Sequence, residues 1–291
     1  MIVRTCRWVR WTAVLLIASC WMAHGALAQD PSSLFDQAGR AFDRWNRPFD
    51  FDAYRSDLEE AIAQYEQLLP LLAPSQIQSQ SFVLNRLAQA YFDLGTAFLT
   101  EAAAKEAAFA AGRDHALESL RLDPAFVEAE RAGFRNALAG ANDPVAVLWY
   151  GNTMGSYFDY HQLEAILGGG MRDIPVCYER SLELDETYLG AAAIRSLASF
   201  MARVPVFLGG DVERSRMLHE QAIAIDPFFF ENKVNLAEFV LRPTGAHDEF
   251  CAVLSEVLDD ALKADIAGRW PLYNELAIRR ASALAEAEDC P

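Results

Sequence analysis

Signature motifs of catalysis are missing from this 291-residue chain. It has no G-x-S-x-G nucleophile elbow and no H-E-x-x-H zinc-binding helix. Its five cysteines never fall into C-x-x-C, which excludes a redox pair or zinc knuckle of that type. Gly168-Gly169-Gly170 lacks the strand before it and the Lys-Ser/Thr after it that a phosphate loop requires. Basic residues are scarce: 25 Lys and Arg stand against 41 Asp and Glu, a net charge of −16, and such a field repels nucleic-acid backbones and anionic lipid. Beyond the N-terminus no apolar run nears the roughly 20 residues that a membrane span needs. Runs of β-branched residues are few, which argues against a sheet. The reading is therefore of no enzyme, no cofactor, no metal and no nucleic-acid partner.

What the chain does have begins with a leader. Arg4, Arg7 and Arg10 precede an apolar stretch from Trp11 to Met22, and Ala26-Leu27-Ala28 supplies small residues for cleavage before Gln29. Residues 1–28 thus read as a signal peptide and 29–291 as the mature, periplasmic protein. A second reading takes Ile17-Ala18-Ser19-Cys20 as a lipoprotein box, with Cys20 as a lipid anchor and the protein's only link to a membrane. Loss of the leader's three arginines leaves 22 basic and 41 acidic residues, a net charge of −19. Cys177, Cys251 and Cys290 remain. An oxidising compartment allows one disulfide and leaves one thiol over, and buried free thiols are the reading for Cys177 and Cys251.

Residues 29–291 read as one helical domain of about eleven helices. Alanine and leucine dominate, and apolar residues recur at helical spacing, as in Leu84, Leu87, Ala88, Tyr91, Leu94 and Phe98. Helices are punctuated by a recurring stop: Ser119-Leu120-Arg121-Leu122-Asp123-Pro124, Ser181-Leu182-Glu183-Leu184-Asp185-Glu186, and Ala222-Ile223-Ala224-Ile225-Asp226-Pro227. In each, Asp can cap the next helix, and in the first and third Pro fits its first turn. The stops lie 62 and then 41 residues apart, so a regular 34-residue array is excluded and degenerate repeats with insertions are expected. The fold class is all-α, of tetratricopeptide-like α-α superhelical type.

His115, His161, His219 and His247 are the histidines left after cleavage, and none has the companions that a metal site needs. The densest chemistry is Leu148 to Tyr160. There Trp149, Tyr150, Met154, Tyr157 and Phe158 share one predicted helix, either as a core or as the wall of a cavity for an apolar ligand.

An ordered set of motifs carries a family resemblance: Trp149-Tyr150-Gly151, the stop at Ser181–Asp185, Gly190-Ala191-Ala192, Val204-Pro205, Leu208-Gly209-Gly210-Asp211, and Leu272-Tyr273-Asn274-Glu275-Leu276-Ala277. Over about residues 50–287 the chain resembles the T component of tripartite ATP-independent periplasmic (TRAP) transporters, the TatT family. The resemblance implies a tetratricopeptide-like trimer that passes an apolar ligand to a periplasmic solute-binding protein. The competing reading is a general envelope scaffold that binds protein segments along its repeats.

Overall fold

The computed structural model describes residues 30–46, 49–263, 266 and 268–291. The expected leader over 1–28, its cleavage site and Cys20 lie outside the described residues. Fifteen α-helices and no strand occur among the described residues, so the chain is all-α. In order they are α1 (Pro31–Phe42), α2 (Phe51–Leu68), α3 (Ile77–Asp93), α4 (Ala102–Leu120), α5 (Pro124–Ala132), α6 (Phe134–Ala139), α7 (Pro144–Phe158), α8 (Gln162–Leu167), α9 (Gly170–Leu184), α10 (Tyr188–Arg203), α11 (Val212–Ile225), α12 (Glu231–Leu236), α13 (Arg242–Thr244), α14 (His247–Ala261) and α15 (Pro271–Ala287). The excess over eleven comes from short pieces. Gly133 separates α5 from α6, and a π-helical turn, Ala237–Leu241, joins α12 to α13.

The stops work as their chemistry requires. Asp123 accepts the amide of Ala125 ahead of Pro124, and Asp143 accepts those of Val145 and Ala146 ahead of Pro144. Each satisfies amides that a helix start leaves open. Asp211 caps α11 through the amide of Arg214. Asp226 differs. It accepts the amide of Phe228, but no helix begins there, because Phe229 and Phe230 turn inward first and are fully buried.

Two apolar clusters divide the chain by sequence, one built on α1–α3 and another on α12, α14 and α15, with the largest on α4–α10 between them. Helix α15 bridges the outer two: Leu272 belongs to the cluster of Leu34, Leu58 and Leu87, whereas Ala277, Ala281 and Leu284 belong to that of Val234, Leu254 and Val257.

The cysteine reading is half corrected. Cys177 is free and buried, as expected. Cys251 is not a free thiol but is bonded to Cys290. The physical reason is the pairing of α14 with α15: the second helix carries the chain back to the start of the first, and the two Cα atoms come within 5.4 Å. A cross-link over 39 residues removes denatured-state freedom amounting to about 4 kcal/mol. Thermal unfolding with and without a reductant, and of Cys290→Ser, should show a clear fall in midpoint. Equal midpoints would mean that the bond is absent or idle.

Candidate functional site

The five aromatic-segment residues all lie on α7. Trp149, Tyr150, Met154 and Phe158 are buried within the largest apolar cluster, where Trp149 meets Phe92 (5.4 Å between rings) and Tyr150 meets Phe134 (5.6 Å). Tyr157 is half-buried, with Arg113 over its ring and His161 stacked at 4.2 Å. Phe158 presses on Gly170 so closely that a Cβ there would stand 2.1 Å from the ring, which accounts for a glycine at the start of α9. Of the five, Trp149 alone donates a side-chain hydrogen bond among the described residues, from its indole N–H to the Tyr188 hydroxyl at 3.4 Å.

That bond leads into a polar cluster the sequence did not announce. Asp93, the last residue of α3, is buried, and both its oxygens face the Tyr273 hydroxyl of α15 at 3.1 and 3.2 Å. Gln89, one turn earlier, donates to the same hydroxyl at 2.9 Å. Burial pushes the Asp93 carboxyl well above the usual carboxylate range, with Glu231 adding to the shift; Tyr273 and Arg86 oppose it. The phenols of Tyr54, Tyr188 and Tyr273 are raised for the same principal reason. Immediately after Asp93 the backbone widens into a π-helical turn, Leu94–Phe98, a device that recurs at functional sites.

Opposite stands a second buried group, Arg195 of α10. Its guanidinium donates to the Gly190 carbonyl and to Asn232 Oδ1, both at 2.9 Å, pairs with Glu231 at 3.2 Å and lies over the Phe229 ring. Asn232 returns a bond to the Gly190 carbonyl. Together they hold Leu189, Gly190 and Ala191 in the left-handed region, at φ of 48°, 61° and 64°. Three such residues in succession store strain, which surrounding contacts must hold in place. At Gly190 a Cβ would also sit 2.2 Å from the Phe229 ring. Gly190→Ala is expected to cost about 3 kcal/mol in denaturant unfolding; a loss below about 1 kcal/mol would show that the local backbone relaxes freely.

Asn274 was part of the resemblance. Asn274 is a fastener: it accepts from the Phe230 amide and donates to the carbonyls of Phe228 and Arg269. Arg214 is exposed, 3.7 Å from Glu179.

Two surface features complete the site. A cleft of about 360 Å³ opens beside the stop at 119–124, between Ile77, Ser81, Leu122, Phe126 and Asn142. At the end of α7 and α10, joined there by Arg203 and Asp159, Leu163 and Leu167 (76% and 84% exposed) and Val206 and Phe207 (84% each) stand out into solvent.

His219 of α11 is fully buried, and neither ring nitrogen has a partner among the described residues. Burial, with Arg195 nearby, pushes it down to about 3. An unfolded histidine takes a proton below about pH 6.5. The folded ring refuses it, so this stability is complete above that pH and is lost as pH falls towards 3, by about 1.4 kcal/mol per unit. Asp93 works in the opposite sense: its folded carboxyl keeps a proton that the unfolded one releases above about pH 4, so stability falls as pH rises. Between about pH 4 and 6.5 the two oppose. Relative to the parent, His219→Leu should therefore gain stability progressively from about pH 6.5 to 4.5 in urea unfolding. A difference independent of pH would refute this assignment.

A family model described as TRAP transporter T-component matches residues 84–290. It begins within α3, so α1 and α2 lie outside it, and it contains Gln89, Asp93 and every other residue of the polar cluster except Tyr54. No curated protein matches the chain.

Proposed function

The chain belongs to the TRAP transporter T-component family, and from that premise we propose that it is a non-catalytic, periplasmic accessory of such a transporter. In this reading it docks a solute-binding protein and handles an apolar small ligand. The observation that carries the ligand half is the junction of the α7 aromatics with the polar cluster: Trp149 belongs to the aromatic wall and reaches Tyr188 beside Asp93. Tyr150, Met154, Tyr157 and Phe158 extend that wall, and the polar end supplies orientation, the division of labour usual in ligand sites.

The protruding apolar end at Leu163, Leu167, Val206 and Phe207 suits the protein partner. Exposed apolar patches on water-bathed proteins commonly mark interfaces. Export fits the basic and apolar leader, and a disulfide between Cys251 and Cys290 fits oxidising surroundings. Among the described residues no helix is long and apolar enough to cross a membrane. Assembly as a homotrimer and an anchor at Cys20 belong to the same reading.

The test is capture of the tagged mature protein from native envelope extract, followed by mass spectrometry. Stoichiometric recovery of one solute-binding protein is expected, and Phe207→Ser with Leu167→Ser should reduce it at least tenfold. Recovery of many unrelated envelope proteins instead would favour the scaffold reading.

A further inference from the structure

We propose that the cluster around Asp93 is the polar end of the interior ligand site and takes a primary ammonium head carried on an apolar body. The proposal rests on the ligand-handling reading above and adds the chemistry of the head group. A carboxylate has room for about four hydrogen bonds. Among the described residues, Asp93 receives one, from the Tyr273 hydroxyl that both oxygens share. Its surroundings hold no direct cationic partner, again among the described residues. Arg86 of α3 is engaged elsewhere, stacked on Phe42 and Phe82 and donating to Gln89 Oε1. Arg195 is taken up by Glu231 and backbone carbonyls. The remaining charged or titratable neighbours are Tyr54 of α2, Tyr188 of α10, Glu231 of α12 and Tyr273 of α15.

An acceptor-rich carboxyl among phenol rings is the environment that an ammonium group prefers, since it gains both N–H···O bonds and the negative faces of the rings. From Tyr188 the path continues to Trp149 and Phe92, a surface for an alkyl or aryl body. Two backbone irregularities frame the cluster independently. The π-turn follows Asp93, and the left-handed triplet at 189–191 follows Tyr188. Each is a costly local arrangement of the sort that collects at binding sites.

The bland alternative is that Asp93 only clips α3 to α15. The two differ in what an asparagine would do. The substitution Asp93→Asn keeps a carbonyl oxygen for the Tyr273 hydroxyl but removes the charge that an ammonium needs. Binding also has a proton signature. Burial holds the empty carboxyl above the usual carboxylate range and an ammonium beside it draws it back down, so R–NH₃⁺ entering forms Asp–COO⁻···⁺H₃N–R and whatever proton the empty carboxyl carries passes to solvent.

Titration calorimetry of the purified protein near pH 7 with decylamine, decanol and decanoate, all below their micelle concentrations, tests this. We expect one decylammonium per chain, at least tenfold weaker binding in D93N with a urea midpoint no lower than the parent's, and no effect of D93N on decanol. In two buffers of different ionisation enthalpy, any proton release should accompany decylamine and not decanol. Equal binding of decylammonium by D93N and parent, or decanoate binding as tightly as decylammonium, overturns the head-group assignment and leaves the apolar site standing. If none of the three binds the parent, the ligand-handling reading falls with it. Should D93N fail to fold, the parent's preference for decylammonium over decanol and decanoate decides, and its absence overturns the proposal.

Discussion

The contact between Asp93 and Tyr273 spans 180 residues and links the third helix to the last. Helical pairs in series need only touch their neighbours, and such an array has two free ends. Here α15 returns across the chain, with Leu272 in the core of the first helices and Leu284 in the core of α12 and α14. The bond from a buried hydroxyl to a buried carboxyl is made where water is excluded, so an error of alignment leaves two desolvated polar groups unmet. That penalty fixes the register of α15 in a way that leucine and alanine contacts, which tolerate sliding, would not.

Much of the fold was legible from residue pattern. The Asp123-Pro124 stop located the start of α5 because capping is a local match between a side chain and amides two or three residues on, and Asp143-Pro144, which the sequence reading did not single out, opens α7 by the same match. The same logic failed at Asp226-Pro227, where Phe229 and Phe230 gain more by burial than the chain gains by starting a helix at once. It also failed at Leu189–Ala191. Nothing in Leu-Gly-Ala warns of three left-handed residues, since the groups that hold them, Arg195, Asn232 and Phe229, come from elsewhere in the chain.

The site was legible in part. Trp149 and its neighbours stood out by composition, and of them Trp149 reaches the polar cluster, through Tyr188. Gln89 and Asp93 were hidden in plain sight. They sit four residues apart, so they share a helix face, and α3 is apolar on nearly every other side of that stretch, with Val83, Leu84, Leu87, Ala88 and Ala90 all buried. A polar pair on such a helix is a signal. Its meaning depended on Tyr273, which no local window contains. Asn274, next to it, looked equally notable and proved to be a fastener for the turn that Phe228 and Phe230 make.

The bond between Cys251 and Cys290 has a consequence for the life of the molecule. Its partners tie α14 to the segment just after α15, the helix that closes onto Asp93 and Gln89. A copy held in reducing surroundings would keep its helices but lack the covalent tie on its final hairpin, and proteases attack chains that open more often. Persistence is thus coupled to oxidation: a copy with the bond intact opens less often, and a copy without it is the more readily cleared.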